Sequence, residues 1–195
     1  MTTIDKRFDK ETISLFESMI GKTFNRYLCD HFVFSTSVFG IVGMYIDNKP
    51  YKLTNNIEVL NYFGQDEDVA VFKFSSCSSD EIVTQEDGGE LNTTPVNCSI
   101  TNITIVEENQ QLFHKGEQTY NVFVPRAIIF IFEDGHEIMF EKDIWFSETI
   151  TVHKGYNLKS QLSPIDEFLE NWEDSDEYVP KCFRNDLVIK AKSLE

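Results

Sequence analysis

The first hydrophobic pattern along the chain has the period of an α-helix. Ile13, Phe16 and Ile20 recur at intervals of three and four residues, so their side chains share one helical face. Asp9 precedes this pattern and is a candidate N-cap, because its carboxylate can accept a hydrogen bond from a free N–H of the first turn. The pattern predicts a helix near residues 10–20.

From about residue 27 to about residue 154 the apolar pattern changes to that of β-strands. Ala70, Phe72 and Phe74 would share one face of a strand, with Lys73 on the other. Further segments of β-branched, aromatic or alternating character predict strands at 32–39, 41–46, 51–54, 100–106 and 149–153, with a turn at 47–50.

The segment AIIFIF-EDGH-EIMF, residues 127–140, predicts a β-hairpin. Asp134-Gly135 predicts a two-residue type I′ turn, in which both central residues have positive φ. The first strand, Ala127 to Phe132, is apolar at every position. A strand without alternation indicates burial on both faces, near the middle of a covered sheet.

A second helix is predicted near residues 164–173. Ser163 is its candidate N-cap and Pro164 suits the first helical position. Its apolar stripe consists of Ile165, Phe168, Leu169 and Trp172. A short strand at 187–189 would end the fold. The pattern as a whole predicts a single α+β domain, a mainly antiparallel β-sheet with an N-terminal and a C-terminal helix packed on it.

Length and composition agree with one folded domain spanning residues 1–195. The chain has 195 residues, of which 41% are hydrophobic and 17 are Phe, which is too much apolar material for a disordered acidic chain. Residues 75–95 are rich in Ser, Thr, Gly, Asp and Glu and predict a long exposed acidic loop. The final Leu194-Glu195 resembles an expression-vector remnant and carries no functional argument.

Charge is distributed unevenly along this chain. The formal net charge is −16, and residues 54–180 hold 25 acids against six bases. Binding to nucleic-acid phosphates or to anionic membranes requires clustered Lys and Arg, so neither is expected as a direct partner. A basic protein partner agrees better with this charge.

Two compact acidic runs are the candidate partner-binding surface. The candidate residues are Asp66, Glu67, Asp68, Glu170, Glu173, Asp174, Asp176 and Glu177. Neighbouring carboxylates of like charge repel each other, so their retention indicates either a use for the charge or a contribution to solubility. The sequence leaves both interpretations open.

The motifs for metal or phosphate binding are weak. Gly21-Lys22-Thr23 lacks the earlier glycine of a phosphate-binding loop and follows a predicted helix instead of preceding one. Cys29 and His31 could share a strand face and offer two metal ligands, but no close pair of further Cys or His residues accompanies them. The sequence therefore predicts neither a metal site nor a cofactor.

Catalytic patterns are equally weak. Asp134, His136, Glu137 and Glu141 cluster on the hairpin and could transfer protons, although a turn and the ends of strands also require polar residues. The four cysteines are widely spaced and the N-terminus lacks an apolar signal segment, which predicts free thiols in a cytoplasmic protein. No catalytic residue is predicted.

Two functional hypotheses follow. The first is a non-enzymatic acidic binding protein, of the inhibitor, immunity or nucleic-acid-mimicking type, that docks on a basic partner. The alternative is a small enzyme or ligand-binding domain with a Phe-lined pocket between the sheet and its helices. The absence of a recognisable catalytic motif favours the first.

Overall fold

The computed structural model describes residues 1–32, 36–84, 89–143, 146–170, 172 and 175–191, apart from the side chains of Asp166 and Glu167. Its helices are α1 (Lys10–Glu17) and α2 (Asp166–Glu170), with two 3-10 turns at Ser79–Glu81 and Leu158–Gln161. Its strands are β1 (Thr2–Asp5), β2 (Thr23–Cys29), β3 (Ser37–Phe39), β4 (Ile41–Ile46), β5 (Lys49–Tyr62), β6 (Gln65–Ser76), β7 (Asn92–His114), β8 (Glu117–Phe132), β9 (Glu137–Lys142), β10 (Thr149–Gly155) and β11 (Tyr178–Lys190). The predicted α+β fold is wrong, because the chain is 63% strand and only 10% helix.

The eleven strands form one curled sheet. Neighbouring strands follow the order β3-β10-β9-β8-β7-β2-β4-β5-β6, with β1 added parallel to β8 and β11 added antiparallel to β7. Only Gly40 separates β3 from β4; its N–H donates to the Glu148 carbonyl at 3.0 Å, and its carbonyl accepts from the Asn55 N–H at 2.9 Å. β3, at one end of this strand order, and β4, in its middle, therefore form one kinked strand. This connection curls the sheet around a shared core.

The main core is built of aromatic rings that pack on one another. Phe16 of α1 stacks on Phe74 of β6 with ring centroids 4.5 Å apart. Phe24 of β2 meets Phe130 of β8 edge to face at 5.1 Å. Large rings in such contacts bury apolar area and add about 0.5–1.5 kcal/mol per pair beyond it. Much of the abundant Phe content is thus explained by core packing.

Two sequence-based predictions about strand burial are confirmed. Ala70, Phe72 and Phe74 are buried in β6 while Lys73 between them is exposed. The strand at residues 127–132 is covered on both faces. Its two faces contribute to two different clusters, Ile128 and Phe130 to the main core, and Ala127 and Ile129 to a smaller core beside Leu158.

The hairpin between β8 and β9 is confirmed, but its turn type differs from the prediction. Gly135 has a φ of +82°, whereas Asp134 keeps a negative φ. The Gly135 N–H donates to the Phe132 carbonyl at 3.0 Å, and the Phe132 N–H donates to the His136 carbonyl at 3.0 Å. This is a three-residue connection, a type I turn followed by a left-handed glycine.

The helix predictions differ in outcome. α1 is confirmed, and the Asp9 carboxylate accepts the Thr12 N–H at 2.8 Å as its N-cap. α2 has five residues and begins after the predicted N-cap at Ser163 and after Pro164. The Ser163 N–H donates to the Glu141 carboxylate at 2.9 Å, and the Ser163 carbonyl, which would accept the first helical hydrogen bond, accepts from Arg184 at 2.6 Å. A substantial C-terminal helix packed on the sheet is thus replaced by a short turn of helix.

The sequence pattern underestimated the lengths of two long strands, β7 and β11. β7 has 23 residues and pairs with β2 through residues 92–99, then with β8 and β11 through residues 100–114. β11 has 13 residues, against the three that were predicted. The predicted turn at 47–50 is confirmed in its first half, where Asp47 and Asn48 have φ values of +48° and +59°.

The connection from β6 to β7 is shorter than the predicted loop 75–95 and covers residues 77–91. The described residues of this connection are mostly exposed, but Ile82 is buried. Ile82 packs closely on Gly43, where a Cβ atom would lie 2.3 Å from the Cγ2 atom of Ile82. Residues 33–35 of the predicted strand 32–39, residues 85–88 of the loop, and Leu194-Glu195 lie outside the described residues. Neither described helix combines the length and apolar character that a membrane crossing requires.

Candidate acidic binding surface

The hairpin of β5 and β6 ends in a turn that sequence reasoning missed. Phe63 and Gly64 lie between the paired residues Tyr62 and Gln65, and their φ values are +53° and +97°. Two positive φ values in a two-residue loop define a type I′ turn. A bulky residue rarely adopts this conformation, and doing so costs about 1–2 kcal/mol, so packing must hold Phe63 in place.

The ring of Phe63 supplies that packing by joining three parts of the chain. Its centroid lies 5.6 Å from the ring of Phe168 in α2 and 5.6 Å from the ring of Trp172. It also lies 5.4 Å from the ring of Tyr120 in β8. The Tyr120 hydroxyl continues the contact by donating to the Asn61 side chain at 3.3 Å. The tip of the β5–β6 hairpin is therefore packed against α2 and the far end of β8.

This contact brings the two predicted acidic runs to one end of the molecule. Asp66 follows the turn by two residues, and its carboxylate accepts from the Asn61 amide at 3.3 Å. Glu170 lies between Phe168 and Trp172 in sequence and is exposed. The two runs are about a hundred residues apart in the chain, and Phe63 contacts the residues that flank the second.

The predicted site residues divide by exposure. Asp66, Asp68, Glu170, Asp176 and Glu177 are exposed, and Glu67 is half-buried on the opposite strand face from its two neighbours. Glu173 and Asp174 lie outside the described residues. We call the described residues of the two runs the acidic tip surface: Asp66, Glu67, Asp68, Glu170, Asp176 and Glu177.

A third hairpin tip, between β7 and β8, adjoins the acidic tip surface. Its two-residue turn, Lys115-Gly116, has φ values of +51° and +84°. His114 before the turn lies 3.4 Å from the Glu177 carboxylate, and its ring stacks on that of Tyr178. Glu117 after the turn is exposed and is a further acid at this end that the sequence did not single out.

Several carboxylates elsewhere in the described chain are paired with Lys or Arg. Ion pairs join Asp5 and Glu107 to Arg7, Glu58 to Lys6 and Lys73, Glu81 to Lys52, and Asp186 to Lys159. By contrast, no Lys or Arg of the described chain forms an ion pair with Asp66, Glu67, Asp68, Glu170 or Asp176. The charge at the tips is thus not neutralised within the described chain.

Exposed apolar area accompanies the acids. Val59 lies directly across from Asp68 in the β5–β6 ladder, and 68% of it is exposed. Ile57, two residues earlier on the same strand face, is also exposed. An apolar strip beside unpaired carboxylates is a surface that a protein partner can cover, because interfaces combine a buried apolar centre with a polar rim.

A buried charge network lies on the outer face of β7, β8 and β9. Glu108 and Glu141 are both buried, and Arg126 lies between them, with its Nη2 atom 3.2 Å from Glu141 and its Nε atom 4.0 Å from Glu108. Arg184 of β11 contacts Glu108 at 2.7 Å and donates to the Ser163 carbonyl at 2.6 Å. The network ties β11 and the segment around Ser163 to the sheet.

Glu141 is held ionised in this network. Burial opposes its charge, but hydrogen bonds from His153 and the Ser163 N–H, together with Arg126, outweigh burial and lower its pKa to about 2. Glu137 accepts the Leu158 N–H at 2.7 Å. Glu137 and Glu141, two of the candidates for proton transfer, therefore have structural hydrogen-bond partners. The other two candidates, Asp134 and His136, pair with each other.

The Cys29 and His31 pair does not form a joint site. Cys29 is buried, and burial raises its pKa to about 11, while His31 is exposed and its ring hydrogen-bonds with the Asn92 amide at 2.9 Å. Burial also raises the pKa of Cys182 to about 12. A thiol with so high a pKa is a poor nucleophile at neutral pH, because the thiolate is the reactive form.

Comparison of the chain with protein-family models, with curated proteins and with solved structures found no match.

Proposed function

We propose that this chain is a non-enzymatic binding protein whose acidic tip surface docks on a basic protein partner, as inhibitors, immunity proteins and nucleic-acid mimics do. The observation that carries the proposal is the packing of Phe63 against Phe168 and Trp172, which places both acidic runs at one end. Solubility alone does not require that two distant acidic runs lie together.

The physics of association supports a role for this charge. Unpaired carboxylates on one end produce a directional field that attracts a positively charged surface and raises the association rate at low salt. The exposed Val59 beside Asp68 offers apolar contact once the partner has arrived. Charge sets the rate and orientation of encounter, and the apolar strip contributes to the lifetime of the complex.

The pocket hypothesis has less support. The rings proposed to line a cavity between sheet and helix pack on each other, with Phe16 stacked on Phe74 and Phe24 against Phe130. The hairpin acids Glu137 and Glu141 already have structural partners. We accordingly favour binding over catalysis, and on the sequence criteria we place the protein in the cytoplasm.

Capture from the source cells tests the proposal. The tagged wild-type chain should retain a basic protein at low salt and release it as salt increases, since surface charges are screened at high ionic strength. A variant with Asp66→Lys, Asp68→Lys and Glu170→Lys should lose this protein. A control with Glu11→Lys, Asp80→Lys and Glu90→Lys has the same net charge but changes exposed acids away from the tips, and it should retain the protein. Equal loss from both variants would contradict the proposal.

A further inference from the structure

Three potential metal ligands of different chemistry meet at the β8–β9 turn. The Sγ atom of Cys98, a carboxylate oxygen of Asp134 and a ring nitrogen of His136 all lie within 4.8 Å of one another. Cys98 comes from β7, and the other two residues come from the turn that follows β8. No sequence motif indicates this cluster, because Cys98 precedes Asp134 by 36 positions and His136 by 38.

The turn geometry holds two of these ligands in place. The Asp134 carboxylate accepts the His136 N–H at 3.1 Å and also hydrogen-bonds with Nδ1 of the His136 ring. The other side of that ring is supported by Phe132, with which it stacks at 4.6 Å. Both side chains therefore present their ligand atoms on one side of a short, rigid connection.

Cys98 is positioned by the β-ladder. The Glu133 N–H donates to the carbonyl of Ser99 at 3.0 Å, which fixes the turn next to the strand that carries Cys98. The Cys98 thiol lies 3.9 Å from the Glu133 carboxylate and donates to it. Glu133 is exposed and neighbours the thiol, but it does not belong to the group of three ligand atoms that lie within 4.8 Å of one another.

The geometry points to a zinc-binding site formed by Cys98, Asp134 and His136, with solvent in the fourth position. A thiolate, an imidazole and a carboxylate in one cluster match the ligands of tetrahedral Zn²⁺, whereas Mg²⁺ and Ca²⁺ prefer sites made of oxygen alone. On binding, the Cys98 thiol gives its proton to solvent and its sulfur donates an electron pair to the metal. A filled site would fasten the β8–β9 turn to β7.

Cobalt titration of the reduced, chelator-treated protein tests this site, because tetrahedral Co²⁺ reports its ligands in the absorption spectrum. One equivalent of Co²⁺ should produce a thiolate charge-transfer band and visible bands of a tetrahedral complex, and Zn²⁺ should abolish both. Cys98→Ser should remove the charge-transfer band. Cys182→Ser, which removes a thiol far from the turn in sequence, should leave the spectrum unchanged.

Variants of the exposed turn cover the case in which Cys98→Ser fails to fold. His136→Gln and Asp134→Asn should each weaken Zn²⁺ binding about tenfold or more and reduce the increase in melting temperature that Zn²⁺ gives the wild type. His31→Gln serves as the matched histidine control and should bind like the wild type. The site is ruled out by a wild type that shows no thiolate band, or by turn variants that bind Zn²⁺ as tightly as the wild type.

Discussion

The ring of Phe63 lies 5.6 Å from the indole of Trp172, edge to face, and connects the tip of one hairpin to the residues that follow α2. The first acidic run begins at Asp66, three residues after Phe63, and the second begins at Glu170, two residues before Trp172. The position of the charges therefore depends on an apolar contact between distant segments. Disrupting that contact should separate the acids as well as reduce stability.

Replacing the ring tests this dependence. Phe63→Ala should lower the free energy of unfolding by about 2–3 kcal/mol, because the contacts of a half-buried ring with four other aromatic rings are lost while Ala keeps the backbone strain of a positive φ. Urea denaturation measures the change. Phe183→Ala is the control, since 49% of that side chain is exposed and its loss should cost well under about 1 kcal/mol. Equal effects of the two substitutions would contradict the packing described for Phe63.

The glycine of the same turn provides a test of local geometry. Gly64 has a φ of +97°, and a Cβ atom there would lie 3.2 Å from the Tyr120 hydroxyl. Gly116 has a φ of +84° but no neighbouring atom within 4 Å of a Cβ position. Gly64→Ala should therefore destabilise the protein by about 1–2 kcal/mol, more than Gly116→Ala, for which backbone strain alone counts. Thermal denaturation of both variants makes the comparison, and a greater loss at Gly116 would overturn it.

The buried charge network predicts a dependence of stability on pH. The pKa of Glu141 is lowered from 4.5 to about 2 in the folded state, so its ionisation stabilises the fold above pH 4.5, and this stability is lost as the pH falls from 4.5 towards 2. Glu141→Gln should flatten the stability profile in that window. At neutral pH it should cost about 3 kcal/mol, because Arg126 loses a buried charged partner that lies 3.2 Å away.

An exposed acid serves as the control for that profile. Glu117→Gln should leave both the neutral-pH stability and the slope between pH 4.5 and 2 nearly unchanged, since surface charges contribute little. Denaturant titrations at several pH values supply both quantities. A wild-type profile that the Glu141→Gln variant reproduces would contradict the role assigned to the network.

Thiol reactivity is a further expected outcome. Burial raises the pKa of Cys29 to about 11 and that of Cys182 to about 12, so both remain protonated at pH 8. Each should react with an aromatic disulfide reagent much more slowly in the folded protein than in urea. Mass spectrometry of the labelled peptides identifies which thiols have reacted. Rapid labelling of either residue in the folded state would show that its burial is less complete than described.

The sequence predicted correctly those elements whose structure depends on neighbouring residues in the chain. The hairpin at 127–140 and α1 were predictable because turn residues, a cap and apolar periodicity coincide there. β7 was not predictable at full length, because Glu108 and Gln110 interrupt its apolar pattern. Both are buried beside partners on other strands, Arg184 for Glu108 and the Tyr62 hydroxyl for Gln110. The prediction of the C-terminal helix failed for a related reason, since the Ser163 carbonyl, which would accept the first hydrogen bond of the helix, accepts from Arg184 of a distant strand.

The candidate surface was predicted in its residues but not in its geometry. The acidic runs are visible in sequence, whereas their proximity depends on Phe63 adopting a left-handed conformation that aromatic residues rarely take. Gly64 was the available signal, since a glycine between two alternating segments indicates a tight turn. Nothing in the spacing of Cys98, Asp134 and His136 indicated that they would meet, because that cluster depends on the pairing of β7 with β8.

The rate of association with the captured basic partner tests the central claim most directly. Stopped-flow measurements at low and at moderate salt would compare the wild type, the tip variant (Asp66→Lys, Asp68→Lys, Glu170→Lys) and the equally charged control (Glu11→Lys, Asp80→Lys, Glu90→Lys). Because exposed charges act mainly on the association rate, the tip variant should associate about tenfold more slowly or worse at low salt and lose most of the salt dependence. The control should stay within about threefold of the wild type. A tip variant that associates as fast as the control would contradict docking through the acidic tip surface.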